Sequence, residues 1–160
     1  VRIALVSDSH VPTRASAIPG RIYEICANCD LLIHAGDLVD LDTLHDLERL
    51  VPVKAVLGNM DDISLTDILP RRLDIELEGF RVCVAHGSGA PLGLDERVLA
   101  HFRGEPDVLV YGHSHTWDEH KRGPTLVINP GAACNPKGSR SAGILTLVRG
   151  TQPSVEKIVF

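Results

Sequence analysis

The stretch Arg2-Ile3-Ala4-Leu5-Val6-Ser7-Asp8-Ser9-His10 decides the fold. Its mostly apolar first half has the length of a short strand, and its polar second half ends that strand and opens a Pro-bearing loop running to Pro19. The same unit recurs along the chain. Leu31-Leu32-Ile33 runs into His34-Ala35-Gly36-Asp37, and 51–57 runs into Gly58-Asn59. Then 81–85 runs into His86-Gly87, and 107–111 into Gly112-His113-Ser114-His115. Between these strands, apolar residues fall at helical spacing: Ile22, Ile25 and Cys26 within 20–28, and Leu41, Leu44, Leu47 and Leu50 within 41–50. A short helix is predicted over 62–69, stopped by Pro70, and a further one over 95–102. The segment 73–77 alternates apolar and acidic residues, as a half-exposed strand does.

Beyond Thr116 the pattern changes. Segments 117–121, 125–128, 143–148 and 155–159 read as strands with no helix-sized gap between them. Alternation of strand and helix favours parallel pairing, and a tail of strands favours antiparallel pairing. The reading is one α/β domain over 1–160, with two packed sheets flanked by helices. The length of 160 residues suits one domain and can bury a core without a disulfide.

Composition narrows the function. Apolar residues make up 44% and charged residues 23%, which excludes a disordered chain or a coiled coil. The net charge of −5 does not suit a broad nucleic-acid surface, because that binding needs many Lys and Arg against phosphates. Arg71-Arg72 and Lys121-Arg122 are only pairs, so no extended nucleic-acid groove is expected, and any anion handled here needs a local source of positive charge. No apolar run reaches the ~20 residues of a membrane span, and the first residues carry no signal-peptide cleavage pattern. The protein is expected to be cytoplasmic, without a membrane partner. Four cysteines, at 26, 29, 83 and 134, include one CxxC, but no second pair stands at a zinc-site distance. Two small residues near a helix end explain it better than a redox motif.

The polar residues that follow the strands carry the chemistry. Parallel strands share one carboxyl edge, and ligands bind in the crevice there. Asp8, His10, Asp37, Asn59, His86, His113 and His115 would therefore meet in space. Singly, an Asp after a strand is as well read as a turn residue, and a His as a satisfied structural group; the joint pattern reverses that. Oxygen and nitrogen donors without thiolate suit Mn²⁺, Zn²⁺, Fe²⁺ or Ni²⁺. Seven groups exceed one catalytic zinc and suit two ions roughly 3.5–4 Å apart sharing a carboxylate. Two divalent ions against two carboxylates leave a positive site, so an acidic protein could hold a phosphate.

In order and type, Asp8-Ser9-His10, Gly36-Asp37, Gly58-Asn59-Met60-Asp61, His86-Gly87 and Gly112-His113-Ser114-His115 resemble the motifs of calcineurin-like metallophosphoesterases. The small size and Asn129-Pro130-Gly131 are similar to the compact phosphodiesterase branch that includes the retromer scaffold subunit. The resemblance implies a four-layer α/β/β/α sandwich of two mixed sheets. It implies that Asp8, His10 and His115 hold one divalent ion, that Asn59, His86 and His113 hold the other, and that Asp37 bridges. Manganese is the first choice of metal, with zinc, iron or nickel as alternatives.

The implied function is phosphoester hydrolysis by a hydroxide bridging the two metals, on a small phosphodiester. A phosphomonoesterase or a non-catalytic protein-binding scaffold are the alternatives, and a homo-oligomer is allowed. Asp37, Asn59 and His86 stand nearest the reaction, and Asn59 and Arg14 are the candidates for touching substrate. One departure matters: Met60 stands where many relatives carry the His that protonates the leaving group or contacts phosphate. His34 is expected to be buried and hydrogen-bonded rather than a ligand, Asp61 to orient a ligand or cap a helix, and Tyr111 and Trp117 to pack in the sheet. His45, His101 and His120 are expected at the surface.

Overall fold

The computed structural model describes residues Val1 to Phe160. In chain order the elements are β1 (Arg2–Val6), α1 (Gly20–Cys26), β2 (Leu31–His34), α2 (Leu41–Glu48), β3 (Val53–Ala55), α3 (Ile63–Thr66) and β4 (Arg72–Leu77). They continue as β5 (Phe80–Ala85), α4 (Leu94–Leu99), β6 (Val108–Tyr111), β7 (Trp117–Arg122), β8 (Thr125–Pro130), β9 (Ser141–Thr146) and β10 (Ser154–Val159). One sheet has the order β10-β9-β1-β2-β3 and the other β4-β5-β6-β8-β7. In each, three central or adjoining strands are parallel: β1, β2 and β3 in the first, β5, β6 and β8 in the second. Strand β9 runs antiparallel to β1 and β10 antiparallel to β9, while β4 and β7 run antiparallel to β5 and β8. Both sheets are therefore mixed.

The period-two alternation of side chains builds the layers. Along β1, Ala4 and Val6 pack with Ile22, Ile25, Leu44 and Leu47 of α1 and α2. Ile3 and Leu5 point the other way and meet Val82, Val84, Val108, Val110 and Ile128 of the second sheet. The opposite faces of those strands, through Cys83, Leu109, Tyr111 and Val127, pack on Leu94 and Val98 of α4. Helix, sheet, sheet, helix is thus the order of the four layers. Each fully buried Val, Leu or Ile contributes roughly 1.5–3 kcal/mol, so the slab between the sheets anchors whatever its rim must hold.

Several elements are shorter than the sequence pattern suggests. The third strand is Val53–Ala55 rather than 51–57, and its start follows Pro52, which has no N–H to give a ladder. Helix α4 is Leu94–Leu99 rather than 95–102, and α3 is a single turn. In α2 the Asp40 side chain accepts from Thr43 N–H (2.9 Å) and caps the helix. No helix is long and apolar enough to cross a membrane. All four cysteines are free thiols. Burial pushes the Cys26 thiol up to about 11, so the CxxC pair lacks the low-pKa thiolate that redox motifs use.

Candidate metal centre

The β1–β2 ladder continues past the strands into the loops. Ala35 N–H donates to Val6 O (2.8 Å), Asp8 N–H to Gly36 O (3.0 Å) and His10 N–H to Asp37 O (3.0 Å). In the second sheet Gly112 N–H donates to His86 O (3.1 Å). These bonds bring the strand ends of both sheets to one rim. The chain turns there at a cost in backbone strain. Asp8 (φ 53°), His10 (φ 47°), Asp37 (φ 56°), His113 (φ 71°) and His115 (φ 57°) are all left-handed. Such residues cost roughly 1–3 kcal/mol each and gather at functional sites. Four of these five side chains, Asp8, His10, Asp37 and His115, bring their ligand atoms together. Glycine permits the closest approach: a Cβ on Gly36 would stand 2.6 Å from His86 Nδ1.

Asp8, His10, Asp37 and His115 each present a ligand atom within 4.8 Å of the others. His115 Nε2 lies 3.1 Å from Asp8 Oδ1, and His10 Nε2 lies 3.7 Å from it and 3.6 Å from Asp37 Oδ2. His86 Nε2 joins them at 3.3 Å from Asp37 Oδ2 and 3.9 Å from Asp8 Oδ1. His113 and Asn59 form the outer side, with Nδ1 and Oδ1 3.0 Å apart. His113 N–H also donates to Asp8 Oδ2 (3.1 Å), so that loop is tied to the first strand's end. Asn59 is exposed, while Asp8, His10, Asp37 and His86 are buried.

The donor atoms fit a cation. Asp8 Oδ2 accepts from Ser7 Oγ–H (2.6 Å) as well as from His113, whereas Oδ1 is sealed from solvent with no hydrogen-bond partner. His86 Nδ1 faces Ala35 O at 2.7 Å. A carbonyl only accepts, so the neutral ring carries its proton on Nδ1, and Nε2, also buried without a partner, presents a lone pair inward. His113 Nε2 faces Gly89 O at 3.1 Å. A neutral ring donating there turns its Nδ1 lone pair toward the Asn59 amide, and both side chains can then offer an acceptor to a cation. Buried acceptors without donors call for an ion or water.

Charges inside the rim keep both carboxylates ionised, the form a cation needs, and these carboxylates in turn favour a protonated His86 that a bound cation would have to displace. Burial works to raise the Asp8 carboxyl, but the contacts with His10 and His115 and the charge of His86 outweigh it and hold the group below the usual range. Burial likewise opposes the Asp37 carboxylate, and the His86 contact with the Met60 N–H bond (2.8 Å to Oδ1) outweighs it. For His86, burial disfavours the cation, yet Asp37 and Asp8 raise it above the ordinary value.

Other residues hold the loops. Asp61 accepts from Val39 N–H with Oδ1 (2.6 Å) and from Gly58 N–H with Oδ2 (2.7 Å), clamping the loop after Asp37 to the loop before Asn59. It does not cap α3, whose N-cap position is Asp62. Asn129 donates to Gly112 O (2.8 Å) and Ser114 Oγ (3.0 Å), bracing the turn that carries His113. Arg14 N–H donates to His10 O (2.7 Å), but the side chain lines a separate cleft with Asn135 and Arg140 that none of the seven residues reaches. His120 departs from a free surface position: it is half-buried between Asp95 (3.3 Å) and Asp118 (3.1 Å). Tyr111 donates its hydroxyl to Asp118 (2.6 Å) and packs against α4.

His34 lies fully buried beneath the rim, with Nε2 3.0 Å from Ser9 Oγ and Nδ1 unpartnered. Burial is the largest influence and pushes it down to about 4, against the pull of Asp61 and Asp8. The unfolded chain therefore binds a proton between pH 6.5 and about 4 that the folded chain refuses. This stability is complete above pH 6.5 and is lost as pH falls. Urea unfolding at pH 7.5 and pH 5 should show wild type losing about 2 kcal/mol more than His34→Gln over that interval. Equal losses in both proteins would refute it.

The calcineurin-like phosphoesterase superfamily domain matches residues 1–150. A probable metallophosphoesterase of Methanothermobacter thermautotrophicus is 35% identical over 158 residues, covering 98% of this chain and 91% of its own. An archaeal phosphodiesterase of solved structure aligns with a TM-score of 0.77 at 25% identity over the whole of both chains. Vps29 of Chaetomium thermophilum aligns with a TM-score of 0.78 over 99% of this chain and 97% of its own, and at 20% identity it shares the fold. Match, fold and rim agree: the chain belongs to the calcineurin-like phosphoesterase superfamily.

Proposed function

We propose that residues 1–160 form one metal-dependent phosphodiesterase unit acting on a small phosphoester, with Asp8, His10 and His115 holding one divalent ion, Asn59, His86 and His113 a second, and Asp37 both. The observation that carries this reading is the set of sealed acceptors, Asp8 Oδ1 and His86 Nε2, aimed with His10, His115 and Asp37 at one point without hydrogen-bond partners. Bound divalent ions supply an activated water and positive charge for phosphoryl oxygens. Manganese is proposed first, with zinc, iron or nickel as alternatives, because carboxylate and imidazole donors accept each of them and availability decides among them.

The chain's own groups hold this geometry. The Met60 N–H fixes Asp37 Oδ1 and leaves Oδ2 turned toward His10 and His86. Ala35 O fixes the ring of His86, and Ser7 fixes Asp8. Asn59, exposed at the outer side, is the polar group nearest an arriving ester, whereas Arg14, whose side chain lines the separate cleft, is given no substrate contact. Met60 is exposed and carries no proton, so the leaving group gets none from that position. This disfavours a monoester with a poor leaving group and favours an activated diester. The phosphodiesterase among the aligned structures supports the same choice.

Elemental analysis and a phosphate-ester panel on one purified sample test the reading. About two divalent ions per chain are expected, with an aryl phosphodiester turned over faster than the matching monoester. A metal-free protein inert toward activated diesters in added Mn²⁺ would overturn it and favour a protein-binding scaffold. Faster monoester turnover would overturn the diester assignment.

A further inference from the structure

A second feature borders the rim. Strand β4 runs antiparallel to β5, with Arg72 opposite Ala85. The start of β4 therefore lies where the end of β5 delivers His86, and this puts Arg71 and Arg72 at the same edge as the polar cluster. Leu57 N–H donates to Pro70 O (2.9 Å) and joins the edges of the two sheets there. The result is a cleft of about 370 Å³ with Asn59 and His86 on one side and Arg71, Arg72 and His101 on the other, and Ser88 also lining it. None of its lining residues is acidic.

Neither arginine meets a carboxylate, unlike four others of the chain. Arg21, Arg49, Arg81 and Arg122 are each neutralised by a carboxylate. The Arg71 side chain makes no ion pair, and Arg72 gives only Nη1, to His101 O (2.9 Å). Two adjacent guanidinium forks without a carboxylate partner, on a chain of net charge −5, leave a local patch of positive charge beside the rim. Their planar donors match phosphate oxygens in pairs. The volume lies within the range of small-ligand pockets.

We propose that this cleft binds a second phosphate of the substrate, so that the preferred substrate class is a phosphoester whose alcohol portion carries a further phosphate. The inference rests on the phosphodiesterase reading, which places the scissile phosphate beside Asn59 and His86. The remote phosphate then contributes binding energy at Arg71 and Arg72.

Two measurements on the full chain decide it. In the Mn²⁺-loaded protein, the p-nitrophenyl ester of thymidine 5′-phosphate is compared with the same ester carrying a 3′-phosphate. The added phosphate should lower KM about tenfold or more, and Arg71→Ala/Arg72→Ala should bring the ratio between the two esters close to one. Arg71→Lys/Arg72→Lys should retain part of the preference, since charge remains and the fork is lost. A wild-type ratio near one, or a ratio the alanine variant leaves intact, overturns the proposal. Calorimetric titration of metal-stripped protein with inorganic pyrophosphate separates the cleft from the catalysis. Wild type should bind about tenfold or more tightly than the alanine variant. If neither ester is hydrolysed, the phosphodiesterase reading fails and this titration alone judges the cleft. Equal or absent pyrophosphate binding overturns it.

Discussion

Replacing Asp37 by Asn is expected to remove metal retention and turnover together. Asp37 Oδ1 accepts the Met60 N–H, and Oδ2 faces His10 at 3.6 Å and His86 at 3.3 Å. A carboxylate can do both at once. An amide cannot: if its oxygen keeps the Met60 bond, its NH₂ meets two imidazoles and offers no lone pair to an ion. If it flips, NH₂ opposes the Met60 N–H and the loop carrying Asn59 is pushed away. Altering a group that merely supports a ligand costs about 10–100-fold in metal affinity or activity. A residue proposed to serve both ions is expected to exceed this, with turnover of bis(p-nitrophenyl) phosphate falling about 10³-fold or more. Metal content after dialysis is the companion measurement. A folded Asp37→Asn protein that kept its ions and its Mn²⁺-dependent rate would remove Asp37 from the centre.

The same residues illustrate what a sequence can convey. Asp8, Asp37, His86 and His113 were legible as neighbours because each follows an apolar strand, and parallel strands share an edge whatever their order. The strand order itself was less legible. Pairing of β1 with β9 joins Leu5 to Gly143, and nothing local in either segment names the other. The left-handed positions Asp8, His10, Asp37, His113 and His115 are not glycines, so residue type does not announce them, and the strain is held by surrounding bonds. Asp61 has a similar obscurity: its two oxygens reach Val39 and Gly58, and only the tertiary fold brings those N–H groups to one carboxylate. Arg71-Arg72 reads as an ordinary surface pair until the antiparallel direction of β4 is known, since that direction sets its start, not its end, at the rim. Arg14 shows the converse. It is near His10 in sequence, yet its side chain lines another cleft.

Gly58→Ala should be the most damaging of the single-methyl changes at the rim. Gly58 has an ordinary φ, so the backbone conformation itself admits alanine. Where space allows, exchanging glycine for alanine stabilises a protein by about 0.4–1 kcal/mol by restricting the unfolded chain. Gly20 is such a place: it opens α1, and an added Cβ there meets nothing within 4 Å. At Gly58 the added Cβ would overlap Asp37 Oδ1 and the Asp37 backbone N, with Cγ at 2.8 Å. A side chain could swing aside, but a backbone nitrogen held in the loop after β2 cannot. The two loops must therefore separate, against the Asp61 clamp that binds Gly58 N–H. Overpacking of this kind costs about 1–3 kcal/mol, so the sign of the stability change reverses between Gly20→Ala and Gly58→Ala. The displacement falls on Asp37, and a shift of about 1 Å at a reacting centre costs about 100-fold in rate. Thermal unfolding and Mn²⁺ affinity of both variants provide the check. A Gly58→Ala protein as stable and as metal-avid as Gly20→Ala would mean that the loops do not approach as closely as Asp37 and Gly58 do here, and the shared carboxylate would lose its structural basis.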